Sequence, residues 1–304
     1  GFYNDTTFAG QQIKAIASNR NGSYILADNN NKYIPIFTSD YFANVGLSAS
    51  DYNYFYPGTA FSGFNVANAK VTQQDIAAGN GVIHVIDHVV TPLMSLDQYL
   101  RTKTEYSVFR NLFEQFMVQF LPNADATHRY QVLTGNSDNV LVKTYNTLVA
   151  FSLNNENFFK LQDNDAQRDG WTLLAPRNDS LSKYINTVLL ENYSSVNKLP
   201  LNVIADLLNS HMWQSTLWPS KFANTNNFLG ESPHIDFQTN TIERKILSNG
   251  LFYGINKVNE PNVFSSVYGK AYLNPRYSYM VNLLGGSDLK NSIINIGTKY
   301  TFFM

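Results

Sequence analysis

The chain carries one phrase twice. Asn80-Gly81-Val82-Ile83-His84-Val85-Ile86-Asp87-His88-Val89-Val90-Thr91-Pro92 returns as Asn249-Gly250-Leu251-Phe252-Tyr253-Gly254-Ile255-Asn256-Lys257-Val258-Asn259-Glu260-Pro261. The copies lie 249 minus 80, or 169, residues apart. A second pair, Tyr106-Ser107-Val108-Phe109-Arg110-Asn111-Leu112 and Tyr277-Ser278-Tyr279-Met280-Val281-Asn282-Leu283, recurs at 277 minus 106, or 171. Two landmarks at nearly one period predict a tandem array of large modules. The period divides the chain into a complete middle module (95–262), a leading stretch (1–94) like the back portion of a module, and a trailing stretch (263–304) like the front portion of another.

Composition removes several classes of function. Hydrophobic residues make up 44% of the 304 and charged residues 15%, a mix that buries a core and argues against disorder. The formal net charge is -1 without a Lys/Arg-rich block, so the electrostatic footprint of a nucleic-acid binder is missing. With no cysteine, disulfides, thiolate metal sites and cysteine nucleophiles all drop out. No apolar run approaches the ~18 to 20 residues that span a bilayer, and Gly1-Phe2-Tyr3-Asn4-Asp5 lacks the charged and apolar segments of an export signal, so an exported protein would have lost its signal. The nucleophile elbow, the phosphate-cradling loop, the His-Glu-x-x-His zinc helix and the dinucleotide fingerprint are all absent, and no catalytic residue or cofactor is expected.

Patterning predicts a mixed helix and strand fold. Phe64 to Ala77 and Val82 to Val90 read as strands joined by a Gly79-Asn80-Gly81 hairpin turn. Both parities of the second strand are apolar, which predicts burial on both faces, and Pro92 ends its ladder. Apolar residues at threes and fours from Ser95 to Phe120 predict helices with one buried stripe. The 125–161 stretch carries β-rich runs at Arg129 to Leu133, Val140 to Tyr145 and Leu148 to Leu153, and reads as an added hairpin or two. Trp171 to Pro176 reads as a buried strand stopped by proline, with helices over Ser180 to Tyr193 and Leu201 to His211. At the far end, Val263 to Leu284 resembles the helical opening of the middle module, and Lys299 to Met304 resembles Gly170 to Ala175.

These residues resemble the fasciclin (FAS1) family. Its back motif has the form Asn-Gly-Val-Ile-His-Val-Ile-Asp-x-Val-Leu-x-Pro, which Asn80 to Pro92 follows closely through Asn80, Gly81, His84, Asp87 and Pro92; Asn249 and Gly250 open the second copy. Its front motif, Phe-Thr-Val-Phe-Ala-Pro-Thr-Asp, is matched more weakly by Trp171 to Asn178, which keeps Thr172, Ala175 and Pro176. Leu207-Leu208-Asn209-Ser210-His211 stands where the family has Leu-Leu-x-Tyr-His, with Ser210 in place of the tyrosine. The resemblance implies an α+β fold of tandem modules, each a β-wedge flanked by helices, on a non-enzymatic adhesion protein. It places the protein outside the cell or on the outer membrane surface, lipid-anchored. The Asn- and Tyr-rich flavour is similar to surface lipoproteins of Bacteroidota. The expected ligand is a protein or a glycan; a spacer scaffold is the structural alternative.

Several residues could carry binding. In animal members of the family an Asp-Ile pair before the back motif is proposed to engage integrins; Asp75-Ile76 occupies that place, and the alternative is a solvated turn beside a packed strand end. The aromatic clusters around Tyr54 and Tyr56, and around Trp213 and Trp218, could stack on sugars or belong to the core. His84 and His88 share a strand face but lie ~13 Å apart, with Asp87 pointing away, so a metal site is not expected and His84 reads as a buried structural residue. His211 reads as bracing. Asp163-Asn164-Asp165 and Asp169-Gly170 offer oxygen ligands, but Arg168 and Leu174 fall where a calcium loop needs Gly and Glu.

A half-module would expose strand edges and core. The leading and trailing stretches are therefore expected to complete one another, within one chain or between chains. The competing reading makes 1–94 a degenerate whole module with Lys32-Tyr33-Ile34-Pro35-Ile36-Phe37-Thr38-Ser39-Asp40 as its front motif; its spacing to the Asn-Gly turn, 80 minus 33 or 47, is short beside 249 minus 171 or 78.

Overall fold

A computed structural model describes residues 3–8, 10–18, 24–26, 32–156 and 170–303. Its strands, in chain order, are β1 (Asn4–Phe8), β2 (Gln11–Ala17), β3 (Ile36–Thr38), β4 (Phe64–Val66), β5 (Ala69–Ala78), β6 (Gly81–Ile86), β7 (Val118–Pro122), β8 (Val140–Tyr145), β9 (Trp171–Pro176), β10 (Met212–Trp213), β11 (Thr241–Leu247) and β12 (Gly250–Ile255). The helices are α1 (Ser39–Val45), α2 (Ala49–Phe55), α3 (Leu96–Arg101), α4 (Ser107–Phe116), α5 (Ala124–Thr134), α6 (Asn178–Tyr184), α7 (Leu201–Asn209), α8 (Phe237–Asn240), α9 (Asn262–Ser265), α10 (Val267–Tyr272), α11 (Ser278–Gly285) and α12 (Leu289–Ile293). The mixture is α+β.

The strands form three four-stranded sheets, ordered β1-β2-β8-β7, β10-β9-β12-β11 and β3-β4-β5-β6. The second is central. In it β9 and β12 run parallel, Gly250 beside Trp171 through Ile255 beside Pro176, while β11 closes the Ser248-Asn249 hairpin. Successive side chains on a strand face opposite ways, and each face of this sheet carries its own core. Trp171, Leu173, Ala175 and Phe252 pack into a cluster with α3, α4, α7 and the trailing helices, whereas Leu174, Leu251, Tyr253 and Ile255 join Phe37, Phe42, Tyr52, Phe55, Trp213 and Trp218 on the other side. Full burial of each large apolar side chain contributes roughly 1.5–3 kcal/mol, so the sheet is held from both faces.

One residue ties the layers together. Asn249 is fully buried; its Oδ1 accepts the Leu96 N–H at the start of α3 (2.9 Å), and its Nδ2 donates to the carbonyls of Leu153 (3.0 Å) and Asn155 (2.9 Å). Its own carbonyl accepts the Trp171 N–H that opens β9. The adjoining α3 starts with a capping box: Ser95 Oγ accepts from the Gln98 N–H, and Gln98 Oε1 accepts from the Ser95 N–H. Gly250 is obligatory at its position, since its φ is +155° and a Cβ would sit 2.0 Å from the Trp171 carbonyl oxygen.

Three expectations are corrected. Arg129 to Leu133 is not strand but part of α5, which Asn123 caps by accepting the Ala126 N–H and Gly135 ends in the left-handed region at φ +70°. Of the β-rich runs in 125–161, only Val140 to Tyr145 is a strand, and it pairs in parallel with β2. The strand predicted from Val82 to Val90 ends at Ile86 and is exposed on both faces: Val82 is 59% and Ile83 54% exposed, and among the described residues β6 pairs with β5 alone. The Lys32 to Asp40 segment does fold as strand then helix, with Thr38 capping α1, but β3 pairs antiparallel with β4 and lies at the opposite edge of its sheet from β6.

The two copies of the Asn-Gly turn thus sit in opposite environments, which a matched pair of substitutions exposes. Gly250→Ala is expected to lower unfolding free energy by more than ~2 kcal/mol, since the β9 backbone itself must move. Gly81→Ala, where nothing lies within 4 Å of a Cβ, is expected to stay within ~1 kcal/mol. Chemical denaturation of both variants checks this.

Candidate binding surface

The β5–β6 hairpin is the surface that stands most apart from the cores. Ile76, Val82, Ile83, Val85 and Val89 are all exposed, and the neighbouring Thr72, Gln73 and Gln74 supply a polar rim. Single exposed apolar residues are ordinary, but a cluster of them marks an interaction site. The sequence folds this way locally because Gly79-Asn80 turns the chain and Ala78 pairs with Gly81. The ladder then slips twice, between Val71 and Gln73 and between Gln73 and Ile76. At the second slip Asp75 adopts φ +58°, a conformation that asparagine and aspartate tolerate best among residues with a side chain.

This bulge fixes the predicted Asp75-Ile76 pair. The Asp75 N–H donates to His84 Nδ1 across the hairpin (3.2 Å), and the His84 ring packs edge-on against Phe64 at 5.0 Å. Ile76 lies opposite Ile83 and is 39% exposed, so neither residue is a packed strand end. His84 bonds backbone as expected but is exposed, which corrects the burial assigned to it. Asp87 Oδ1 accepts the Lys70 N–H (3.0 Å) and pairs with His88 Nδ1 (2.7 Å); among the described residues no cluster of His, Asp and Glu could hold a metal ion. Asn80, Gly81 and Pro92 are exposed.

The aromatic candidates lie elsewhere and are mostly core. Trp213 is fully buried with its indole N–H donated to the Thr225 carbonyl, and Trp218 is buried and packs edge-on against Phe37 and Phe55; both belong to the core rather than to an open aromatic platform, a correction that follows from their place between the central sheet and α1–α2. Tyr54 is half-buried, its ring under the Arg244 guanidinium at 4.1 Å and beside Phe237 at 5.2 Å. The Tyr56 hydroxyl is buried without a hydrogen-bond partner among the described residues, and burial pushes its pKa upward. A cleft of about 370 Å3 beside this cluster is lined by Tyr33, Pro35, Tyr41, Trp218 and Leu251.

The remaining motif residues hold structure. Thr172 Oγ1 donates to the Ser215 carbonyl and accepts the Leu217 N–H, fixing the β10 loop on β9, and Pro176 ends β9 beside Ile255. His211 is fully buried: its Nδ1 sits 2.8 Å from the Leu207 carbonyl and its Nε2 accepts the Asn259 N–H at 3.0 Å. That pattern requires the neutral ring with the proton on Nδ1. Ser210, in the family's tyrosine position, has its single hydroxyl proton shared between the carbonyls of Leu207 (2.8 Å) and Asn259 (2.7 Å). The possible oxygen ligands at 163–169 lie outside the described residues.

Sequence reasoning missed a charged cluster beneath the first sheet. Lys143 Nζ lies 2.6 Å from both Asp97 and Glu114, Tyr145 donates to Asp97, and Arg101 approaches Asp97 at 3.3 Å. Burial alone would raise the Asp97 pKa; the Lys143 and Arg101 charges and the hydrogen bonds outweigh it and hold the carboxyl below its usual range. It lines a cavity of only about 110 Å3, and its groups are already paired, so we read it as structural. Its members are spread from 97 to 145 without a motif, and only the fold brings them together.

The fasciclin domain family matches the chain over residues 44–92. That span runs from α1 through the β5–β6 hairpin, and it supports a fasciclin-family protein. The domain suggests adhesion or binding in general, is generally non-catalytic, and typically occurs in extracellular or surface proteins. No curated protein matches the chain. Among the described residues no helix is long and apolar enough to cross a membrane.

The His211 environment sets a pH dependence. Burial pushes its pKa from 6.5 down to about 4, against a smaller upward pull from the Leu207 carbonyl. The unfolded ring therefore binds its proton first as pH falls, so the His211 contribution is intact above pH 6.5 and lost as pH drops toward 4. Across that window the parent is expected to lose on the order of 3 kcal/mol relative to His211→Gln. Denaturation curves of both proteins between those pH values check the difference in slope.

Proposed function

We propose that this chain is a non-enzymatic adhesion or binding protein, displayed outside the cell or at the outer membrane surface by a lipid anchor and built from tandem modules. Its ligand is a protein, and the contact surface is the β5–β6 hairpin. The observation that carries this reading is the apolar, two-face-exposed hairpin with Asp75 and Ile76 held outward by a bulge. An apolar patch with a polar rim suits a protein surface, where a few buried anchors dominate affinity. A glycan ligand would need flat, exposed aromatic faces, and burial of Trp213 and Trp218 weighs against it. The cleft at Tyr33 and Tyr41 is the feature that favours this second reading.

A solid-phase panel of matrix proteins and glycans separates the two. Asp75→Ala is expected to lower protein binding at least ~10-fold, about 1.4 kcal/mol, with the circular dichroism spectrum unchanged. Unchanged protein binding by the variant would remove the Asp75–Ile76 site. Binding to glycans alone, lost on Tyr41→Ala, would move the ligand site to the cleft.

A further inference from the structure

The chain contains its own template for what belongs beside β6. The hairpin β11–β12 and the hairpin β5–β6 carry the same Asn-Gly motif, yet β12 is flanked by β11 and β9 while β6 pairs, among the described residues, with β5 alone. Leu251, Phe252 and Tyr253 are at most 2% exposed; Val82, Ile83 and His84, the equivalent residues 169 earlier, are all exposed. A Cβ on Gly250 would strike the β9 backbone, whereas around Gly81 the space is open. The difference between the two copies is the presence of a front strand.

The trailing stretch is folded as a module front. Its α10, the 3-10 turn Pro275–Tyr277 and α11 repeat α3, the turn Thr104–Tyr106 and α4, and all three starts are offset by the same 171 residues (267 minus 96, 275 minus 104, 278 minus 107). In the middle module the front strand is β9. Its counterpart by sequence in the trailing stretch is Lys299-Tyr300-Thr301-Phe302-Phe303, at an offset of 129 (300 minus 171) because most of the 117–170 segment has no equivalent there; it lies outside any strand, with Phe303 88% and Tyr300 38% exposed.

We propose that β6 takes the 300–303 segment of a second copy of this chain as a parallel strand. Transferring the β9–β12 register places Tyr300 beside Gly81, Thr301 beside Val82, Phe302 beside Ile83 and Phe303 beside His84. Strand addition at an exposed edge satisfies its free backbone groups, and the side chains supply the specificity. The donor is a second copy because each copy's own segment is on the wrong side. Phe264, Tyr268, Leu284, Ile293 and Phe302 pack on the face of the central sheet that carries Phe252, while the unit bearing β6 is anchored through Phe37, Tyr52 and Phe55 on the opposite face. Phe302, half-buried, is the residue that must leave its own core. The contact is heterologous, so it generates rings or open chains of copies. It uses the free edge of β6 and does not rest on the ligand reading of Asp75 and Ile76.

Because the chain has no cysteine, the register can be trapped directly. Paired residues on adjacent strands stand ~4.8 Å apart, within disulfide reach. A Val82→Cys chain mixed with a Thr301→Cys chain under mild oxidation is expected to give a covalent pair whose yield rises with concentration. The out-of-register mixture of Ile83→Cys with Thr301→Cys is expected to give ~10-fold less, its two side chains facing opposite ways. All three positions are exposed, so none of the substitutions tests folding. Equal yields from the two mixtures would overturn the proposal, as would a doubly substituted chain that links only within itself. A protein that sediments as monomer up to ~100 μM would overturn it as well. Asp75→Ala is expected to leave the cross-linking yield unchanged, so loss of ligand binding and loss of self-association are read separately.

Discussion

The parallel contact between β9 and β12 is the constraint on which the rest of the structure depends. It joins two segments far apart in sequence, and its closure entropy must be offset by what it organises. Both cores form on its two faces. The contact needs Gly250, because the β9 carbonyl occupies the place of a side chain, and Asn249, because that one amide connects α3, the 153–155 turn and the hairpin. A leucine of similar volume would bury as much surface at 249 but take away the acceptor of the Leu96 amide and one donor each from the Leu153 and Asn155 carbonyls; a buried amide left without its partner costs about 1–3 kcal/mol.

The same dipeptide at 80 and 81 has none of these partners, which separates the local from the tertiary role of the motif. Locally, Asn-Gly makes a hairpin in both copies. Only where a front strand is present does the asparagine become a core residue and the glycine lie against a neighbouring backbone. The motif is therefore better understood as half of an interface than as a turn signal. The Asp75 bulge fits that picture, since it lengthens β5 against β6 and leaves Ile76 facing outward, whereas Ile246 on β11 is buried.

How much of this was legible in the sequence follows the same division. The hairpins and the buried β9 were readable because their signals are local: Asn-Gly between apolar runs, and Pro176 after an apolar run. The helix α5 was missed because Tyr130, Val132 and Leu133 suggest a strand, while its actual determinants, the Asn123 cap and the left-handed Gly135, stand outside that run. The exposure of β6 was missed because apolar residues on both parities announce a need for burial without saying what satisfies it. Trp213 and Trp218 failed as surface candidates for the converse reason: an aromatic cluster in a strand-rich region is what a second core looks like in one dimension. The Asp97–Lys143 cluster had no local signal at all.

The proposed head-to-tail contact and the proposed adhesive surface on the same hairpin would not be redundant. On the proposed readings the free edge of β6 would meet a second copy and the bulge of β5 a ligand, so a row of copies would present one Asp75–Ile76 bulge per copy at a fixed spacing. Weak individual contacts then act together, with effective concentrations that far exceed the concentration of free ligand. A protein displayed on a surface would gain from this arrangement, because the strength of attachment would grow with the length of the row rather than with the quality of any single site. The exposed apolar edge, costly for an isolated molecule, is in that setting the means by which the row is built.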